Sequence, residues 1–534
     1  MNSISRHYYF FIIFYLLLLI YSFQFLIGPW DEYHLLYYFK NQTFFPFYDY
    51  NFPYYDAYLL GRFSPFTGQE FNIPIFFTSN INYTFIFVSS LIFVSLILYY
   101  YLICQTIKIN NLNFIFFFTI IIISTPGFYL LTTRLLYAED TQVLLLIIVF
   151  ISFFKLEQSN KLFKYLSWKI LLISSTIISL LYKENNFLII ASFIFFYFIF
   201  DKKKFYKNKI IYIIIILLCL IYLIVLGYIN LYYKNDEISY IKNQNSVFFF
   251  KIFNIFLRYL LNDFLLLLFI LPIGIFGLII SKNIFIKSMF ASGLCNILFF
   301  ITLGLYGPYY LFPCYFLMFP LFFETFNTIK IRSIIIYNLK KLILFFLILV
   351  SFGNSIFYYF ESKNLSKIFN NAVNYLVDDI NNNKSNTNIF MCNDLNEGNL
   401  AQLYILSEHL KYNDIDFEKV QFFAFDNNDN INFYTRISPF DDIKNSKYID
   451  SIFYNNQKII DPKKGDIIIN LPIYSSKFKK SCSFLKDQQY SDKLSFTSSF
   501  YNTLITNLIK VIVYKKKFVK TNFLKEFEYE IFKI

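Results

Sequence analysis

Apolar runs recur through the first 360 residues, at about 8–28, 84–104, 114–131, 139–154, 170–182, 186–200, 210–230, 263–280, 288–305, 309–326 and 342–360. A helix rises about 1.5 Å per residue, so some 20 apolar residues cross a hydrocarbon layer about 30 Å thick. Lipid offers backbone amides no partner, so runs of this kind are expected as helices. The expectation is therefore a polytopic α-helical membrane protein of about eleven spans, with 170–182 and 186–200 short enough to be tilted or half-buried. A hydrophobic share of 57% overrules the several soluble domains that 534 residues would otherwise suggest.

Basic residues set the orientation. Lys155, Lys161, Lys164 and Lys169, then Lys202, Lys203, Lys204, Lys207 and Lys209, then Lys282 and Lys287, then Lys330, Arg332, Lys340 and Lys341 all fall on one side if the N-terminus is cytoplasmic. That places the loop after the first span, 29–83, outside. With an odd number of spans it places residues 361–534 outside too, as an extracytoplasmic α/β domain appended to the membrane unit 1–360. Within that third, 388–392, 420–425 and 465–472 read as strands, and Leu400, Leu403, Leu406 and Leu410 recur at helical spacing. The location expected is a plasma membrane, the inner membrane of a bacterium. The net charge of +13 carries no nucleic-acid signal, because a bias toward Lys, Asn, Ile, Phe and Tyr fits AT-rich coding. Cys104, Cys219, Cys295 and Cys314 lie in or beside apolar runs, where free Cys acts as a small hydrophobe; Cys392 and Cys482 alone are placed to form one disulfide outside the cell. No CxxC or His/Cys cluster supports zinc.

Charge inside or capping a span is costly, so its placement is informative. Asp31 and Glu32 emerge directly after the first apolar run, followed by His34, Asp49, Asp56, Arg62 and Glu70 among aromatics and four prolines. Three further groups fall on the same face: Arg134, Glu139 and Asp140 in TTRLLYAED; Lys183 and Glu184 in YKENN; and the uncharged turn YGPYYLFP at 306–313, which holds Tyr310. A carboxylate beside fixed cations at a membrane surface suits attack of a hydroxyl or amine on a lipid-linked phosphosugar. The acid takes the acceptor's proton and the cations neutralise the departing phosphate. No cofactor is required. Asp31, Glu32 and Asp49 offer oxygen ligands compatible with a divalent cation, but their spacing does not demand one.

The segment WDEYHLLYYF, the later FYDYNFPYYD, TTRLLYAEDTQVLLL, LLYKENNFLII and YYLFPCYFLMFP together resemble, in order and sidedness, the GT-C glycosyltransferases of the protein O-mannosyltransferase and lipid A aminoarabinose transferase type. The resemblance covers about the first 325 residues as scattered short motifs. It implies eleven to thirteen spans, an outer α/β domain, a polyprenyl-phosphate-linked sugar as donor, and a lipid, glycan or protein as acceptor. It makes Asp31 the catalytic base with Glu32 as its neighbour, Arg134 and Lys183 phosphate contacts, and His34, Asp49, Arg62, Glu139, Glu184 and Tyr310 residues of the substrate site. One departure stands out. Gly307, Pro308, Tyr309 and Tyr310 occupy a stretch where the family commonly has Arg, which leaves that cation either missing or supplied from elsewhere, by Arg62 or Arg258, and leaves the donor's identity open. Two rival classes are a transporter or lipid flippase, and a surface polysaccharide polymerase or ligase. The first is disfavoured by charges gathered on one face without visible repeats, the second by a main polar loop that comes early rather than late.

Overall fold

A computed structural model describes residues 3–22, 28, 33–44, 63–107, 112–135, 138–159, 161–232, 252–253, 255–257, 259–260, 263, 265–305, 307–328, 334–382, 387–391, 397–415, 420–425, 431–436, 453–458, 466–470, 492–501 and 524–533. Helices α1 (Ser3–Ser22), α4 (Asn82–Ile107), α7 (Glu139–Gln158), α8 (Leu162–Tyr182), α9 (Asn186–Phe200), α11 (Lys209–Tyr232), α12 (Leu271–Ile280), α13 (Ile284–Leu303) and α14 (Phe312–Thr328) pack into one bundle, with the short helices α2 (Tyr33–Asn41), α3 (Asn72–Phe77) and α10 (Lys202–Lys207) at its ends. The bundle's outer faces carry Ile12, Leu16, Ile170, Leu217, Ile224, Ile279 and many other exposed apolar side chains. In water such a surface would associate; facing acyl chains it needs no cover.

Among the described residues four helices are long and apolar enough to cross a membrane: 82–107, 162–182, 209–231 and 284–303. Shorter apolar helices at 7–20, 186–200, 265–280 and 344–353 accompany them. The run expected as a 13-residue span at 170–182 in fact begins at Leu162 and is 21 residues long. Lys164 and Lys169 had masked its first two turns. The run 114–131, expected as one span, is two helices, α5 (Leu112–Ile123) and α6 (Pro126–Thr133), bent by 69°. The cause is local. Pro126 has no amide hydrogen to continue α5, and Thr125 caps α6 through Oγ1, which accepts from Phe128 N at 3.2 Å. The Ser124 carbonyl at the break accepts instead from Ser351 Oγ at 2.7 Å and Ser355 Oγ at 2.5 Å. The break leaves Arg134 at the C-terminus of α6, shortly before α7 opens at Glu139.

Those two serines lie on α15 (Ile334–Asn382), 49 residues and roughly 73 Å long. The division expected at 360/361 falls inside this helix. Its first half packs on α6, and its second half turns Leu365, Ile368, Phe369, Ala372, Val373, Leu376 and Ile380 onto a second core. That core also holds Ile389, Ile467 and Ile469 from a seven-stranded sheet of order β4-β3-β2-β1-β5-β7-β6. The strands are β1 (Thr387–Met391), β2 (Val420–Phe425), β3 (Ile431–Arg436), β4 (Phe453–Lys458), β5 (Ile467–Asn470), β6 (Asp492–Tyr501) and β7 (Leu524–Lys533). The stretches read from sequence as strands are β1, β2 and β5, the parallel centre of the sheet. Helix α16 (Glu397–Tyr412) is the crossover from β1 to its parallel neighbour β2, as a βαβ unit requires.

The close approach of α6 to the 308–312 turn depends on Gly127, where a Cβ would lie 2.9 Å from the Pro308 carbonyl oxygen and 3.3 Å from Phe312 Cβ. Gly127→Val is therefore expected to destabilise the protein by about 1–3 kcal/mol, through overpacking against backbone that cannot yield. The measurement is the unfolding midpoint of micelle-solubilised protein in an SDS titration, where the variant unfolds earlier.

Candidate active site

Four separate segments meet at one end of the bundle. The α8–α9 turn contributes Lys183, whose amide closes on the Ser179 carbonyl at 3.3 Å before the chain re-enters the bundle at Asn186. Its ammonium pairs with Glu139 Oε1 at 2.9 Å. Both partners are sheltered, the side chains being 13% and 1% exposed. The same ammonium lies 6.0 Å from the centre of the Tyr310 ring, on the turn at 308–311 before α14. Removing two charges from water is repaid only where geometry and neighbouring dipoles are favourable. Here the ring face and the pairing supply both.

An amide chain fixes the turn from beneath. Gln142 Nε2, one turn into α7, donates to Asn185 Oδ1 at 2.9 Å and Asn186 Oδ1 at 2.6 Å. Asn185 Nδ2 donates to Asn296 Oδ1 on α13 at 2.9 Å, and Asn296 Nδ2 lies 3.4 Å from Cys314 Sγ on α14. Asn186 Nδ2 closes back on the Ser179 carbonyl at 2.7 Å. Every member is buried, so each unmet bond would cost its full desolvation. The chain thus ties four helices to the position of Lys183.

The far end of the first loop is strapped to the same turn. Phe66 N donates to the Leu181 carbonyl at 3.0 Å and Thr67 Oγ1 to the Tyr182 carbonyl at 2.5 Å, while the Tyr222 hydroxyl holds the Phe63 carbonyl. Gly68, at φ 86°, supplies the left-handed residue that lets the chain turn into the short helix 69–71. Glu70 is thereby half-buried with its carboxylate enclosed, its Oε1 accepting from the Tyr182 hydroxyl at 2.5 Å. Asp140 lies close enough to act electrostatically on both, and its Oδ1 accepts from Thr141 N at 2.7 Å. Burial pushes the Glu70 carboxyl up to about 7, against the lowering effect of its Tyr182 hydrogen bond.

Of the residues singled out from sequence, Glu139, Lys183 and Tyr310 are brought together. Arg134 stands at the C-terminus of α6, five residues before Glu139, and Glu184 lies within the turn beside Lys183. Asp31, Glu32, Asp49, Arg62 and Arg258 lie outside the described residues, as do Cys392 and Cys482; His34 is placed only by its backbone, in α2. Sequence reasoning did not assign Glu70, Asp140 or Tyr182 to the site. Asp263 was also missed. It is buried just before a π-helix (Leu265–Ile270), where its Oδ1 accepts from the Tyr315 hydroxyl. The sequence signal that could have been weighed is an acid opening the apolar run NDFLLLLFI. Among the described residues no group of three or more His, Cys, Asp or Glu is disposed to hold a metal.

The bundle with its bent α5–α6 pair, a site gathered from helix ends, and a sheet carried on a long last helix make up an integral-membrane protein with an appended C-terminal sheet. The chain is similar over 99% of its length to the crystal structure of ArnT from Cupriavidus metallidurans in the apo state, covering 98% of that chain at a TM-score of 0.51 and 7% identity. The crystal structure of the same ArnT bound to undecaprenyl phosphate is matched over 87% of this chain and 92% of that one, at a TM-score of 0.45 and 8% identity. No family model and no curated protein matches the sequence.

Two outcomes test the site's energetics. Lys183→Met leaves Glu139 charged and buried, and is expected to cost about 3–5 kcal/mol, whereas Lys183→Met with Glu139→Gln costs far less. SDS-unfolding midpoints of the single and double variants decide it. For Glu70, whose folded value of about 7 lies above the ordinary 4.5, the folded state holds the proton more tightly, so its contribution to stability is full below 4.5 and lost as pH rises through 7. Glu70→Gln is expected to remove that part of the pH dependence, making the variant's advantage over wild type grow between pH 4.5 and 7 and then level off.

Proposed function

We propose that this protein is a membrane-embedded glycosyltransferase that moves a sugar from a polyprenyl-phosphate donor to an acceptor on the extracytoplasmic face of a plasma membrane. The observation that carries the proposal is the sheltered Lys183–Glu139 pair under Tyr310 at a bundle end to which the first loop is strapped. The fold shared with ArnT supports the architecture in which such a site would work. The positive-inside asymmetry supports an outer location for that end, for the first loop and for the C-terminal sheet.

In this reading Asp31 takes the proton from an acceptor hydroxyl or amine as the acceptor attacks the anomeric carbon. The bond from that carbon to the phosphate oxygen breaks, and the lipid phosphate leaves with both its electrons. Lys183 neutralises the departing phosphate, helped by Arg134, while Glu139 holds Lys183 in place until the phosphate arrives. Glu32 and His34, with Asp49, Arg62 and Glu184 from the surrounding loops, border the sugar and acceptor. Tyr310 covers the ammonium and keeps water from it. Apolar grooves between helices take the polyprenyl tail.

The test uses protein in vesicles of polar lipid loaded with a polyprenyl-phosphate-linked labelled sugar. Asp31→Asn is expected to lower transfer by about 10²-fold or more with binding of undecaprenyl phosphate retained. The Lys183→Met, Glu139→Gln double variant is expected to lose that binding. Movement of the label across the bilayer without any covalent product would overturn the proposal in favour of transport.

A further inference from the structure

Helix α16 touches both ends of the stretch through which the chain enters its first loop. At one end burial pushes the His409 imidazole down to about 3, so the ring is neutral, and it donates to the backbone carbonyl of Gly28. Gly28 is itself buried and lies three residues before Asp31 in the chain. At the other end Lys40, the penultimate residue of α2, donates to the Lys411 carbonyl at 2.5 Å and pairs with Asp414 Oδ1 at 2.5 Å. Between them Leu35, Leu36, Tyr38 and Phe39 of α2 share one core with Ile405, Leu406 and Leu410 of α16.

His409 is an expensive way to fill this position. Its side chain is 3% exposed, its ring meets Phe369 edge-on at 4.7 Å, and its Nε2 is buried without a hydrogen-bond partner among the described residues. An apolar ring would pack there without that penalty, so the histidine's retained asset is the one bond to Gly28. The Lys40–Asp414 pair is largely solvated, 31% and 85% exposed, and serves to orient α2 rather than to hold it.

We propose that α16 is a positioning element for the entry to the first loop: His409 holds Gly28, and Asp414 with the Lys411 carbonyl orients α2 through Lys40, so that α16 fixes the two described pieces of chain that flank Asp31 in the sequence. The importance of Asp31 rests on the glycosyltransferase reading above; the clamp rests on the contacts just given. The C-terminal sheet, which α16 joins to the bundle's first loop, thereby becomes part of the site without contributing a reacting group.

The experiment is hydrogen–deuterium exchange on the full-length protein in lipid nanodiscs, comparing wild type, His409→Phe and His409→Asn. The Asn amide stands where the ring's Nδ1 stood and restores a donor. In His409→Phe, exchange over 29–41 is expected to rise about tenfold or more while β1 and β2 stay protected; in His409→Asn it returns toward wild type. Unaltered exchange over 29–41 in His409→Phe, or a rise that includes β1 and β2 and is not rescued by Asn, overturns the clamp. Binding of undecaprenyl phosphate, measured on the same samples, is expected to be equal in all three. Wild-type protein that fails to bind it overturns the donor reading instead, with the clamp still decided by exchange.

Discussion

The Lys183–Glu139 ion pair is the interaction on which the architecture turns. A lone ammonium or carboxylate at this depth would be driven to its neutral form or out to the surface, and either would dissolve the site. Paired, the two charges hold each other in a place where water is scarce, so an anion that comes close enough to compete for Lys183 meets a cation little screened by solvent. Everything around the pair serves to fix the distance between α7 and the α8–α9 turn. The bend at Pro126 turns α6 away from the line of α5, Gly127 lets the 308–312 turn pack closely against α6, and the Gln142–Asn185–Asn296 amide chain links α7, the α8–α9 turn and α13.

The same end of the molecule is where the first loop is tied at both margins. Phe63, Phe66 and Thr67 bind it to α8 and α11, while Gly28 and Lys40 bind it to α16. These straps come from opposite ends of the sequence, which explains why a long C-terminal portion accompanies a membrane bundle. Helix α15 is the connection: its serines repair the carbonyl freed at the α5–α6 break, and its last turns line the core under the sheet. One helix thus couples bundle, loop and sheet.

Much of this was legible in the residues. Charges that cap apolar runs are rare enough to stand out, and Glu139 and Lys183, chosen on that ground, prove to be neighbours, with Tyr310 from the uncharged turn on the same face beside them. What stayed hidden has physical reasons. Glu70 and Tyr182 are 112 positions apart, and nothing periodic in either segment announces that one hydroxyl will meet one carboxylate. The continuation of α15 past residue 360 was obscured because a helix leaving lipid keeps only a stripe of apolar residues, at 365, 368, 369, 372, 373, 376 and 380, and window-averaged hydropathy blurs that stripe. The start of α8 was hidden by lysines that can extend along a helix toward the membrane surface. The Pro-Gly at 126–127, by contrast, was a plain breaker signal within a run taken as continuous.

The central claim is that the Lys183 site receives the phosphate of a polyprenyl lipid. Native mass spectrometry of protein extracted gently from its membrane, followed by release and mass determination of the bound lipid, tests it most directly. The account predicts a polyprenyl phosphate, lost when Lys183 and Glu139 are both neutralised. Bulk glycerophospholipids alone, bound equally by wild type and that double variant, would contradict it.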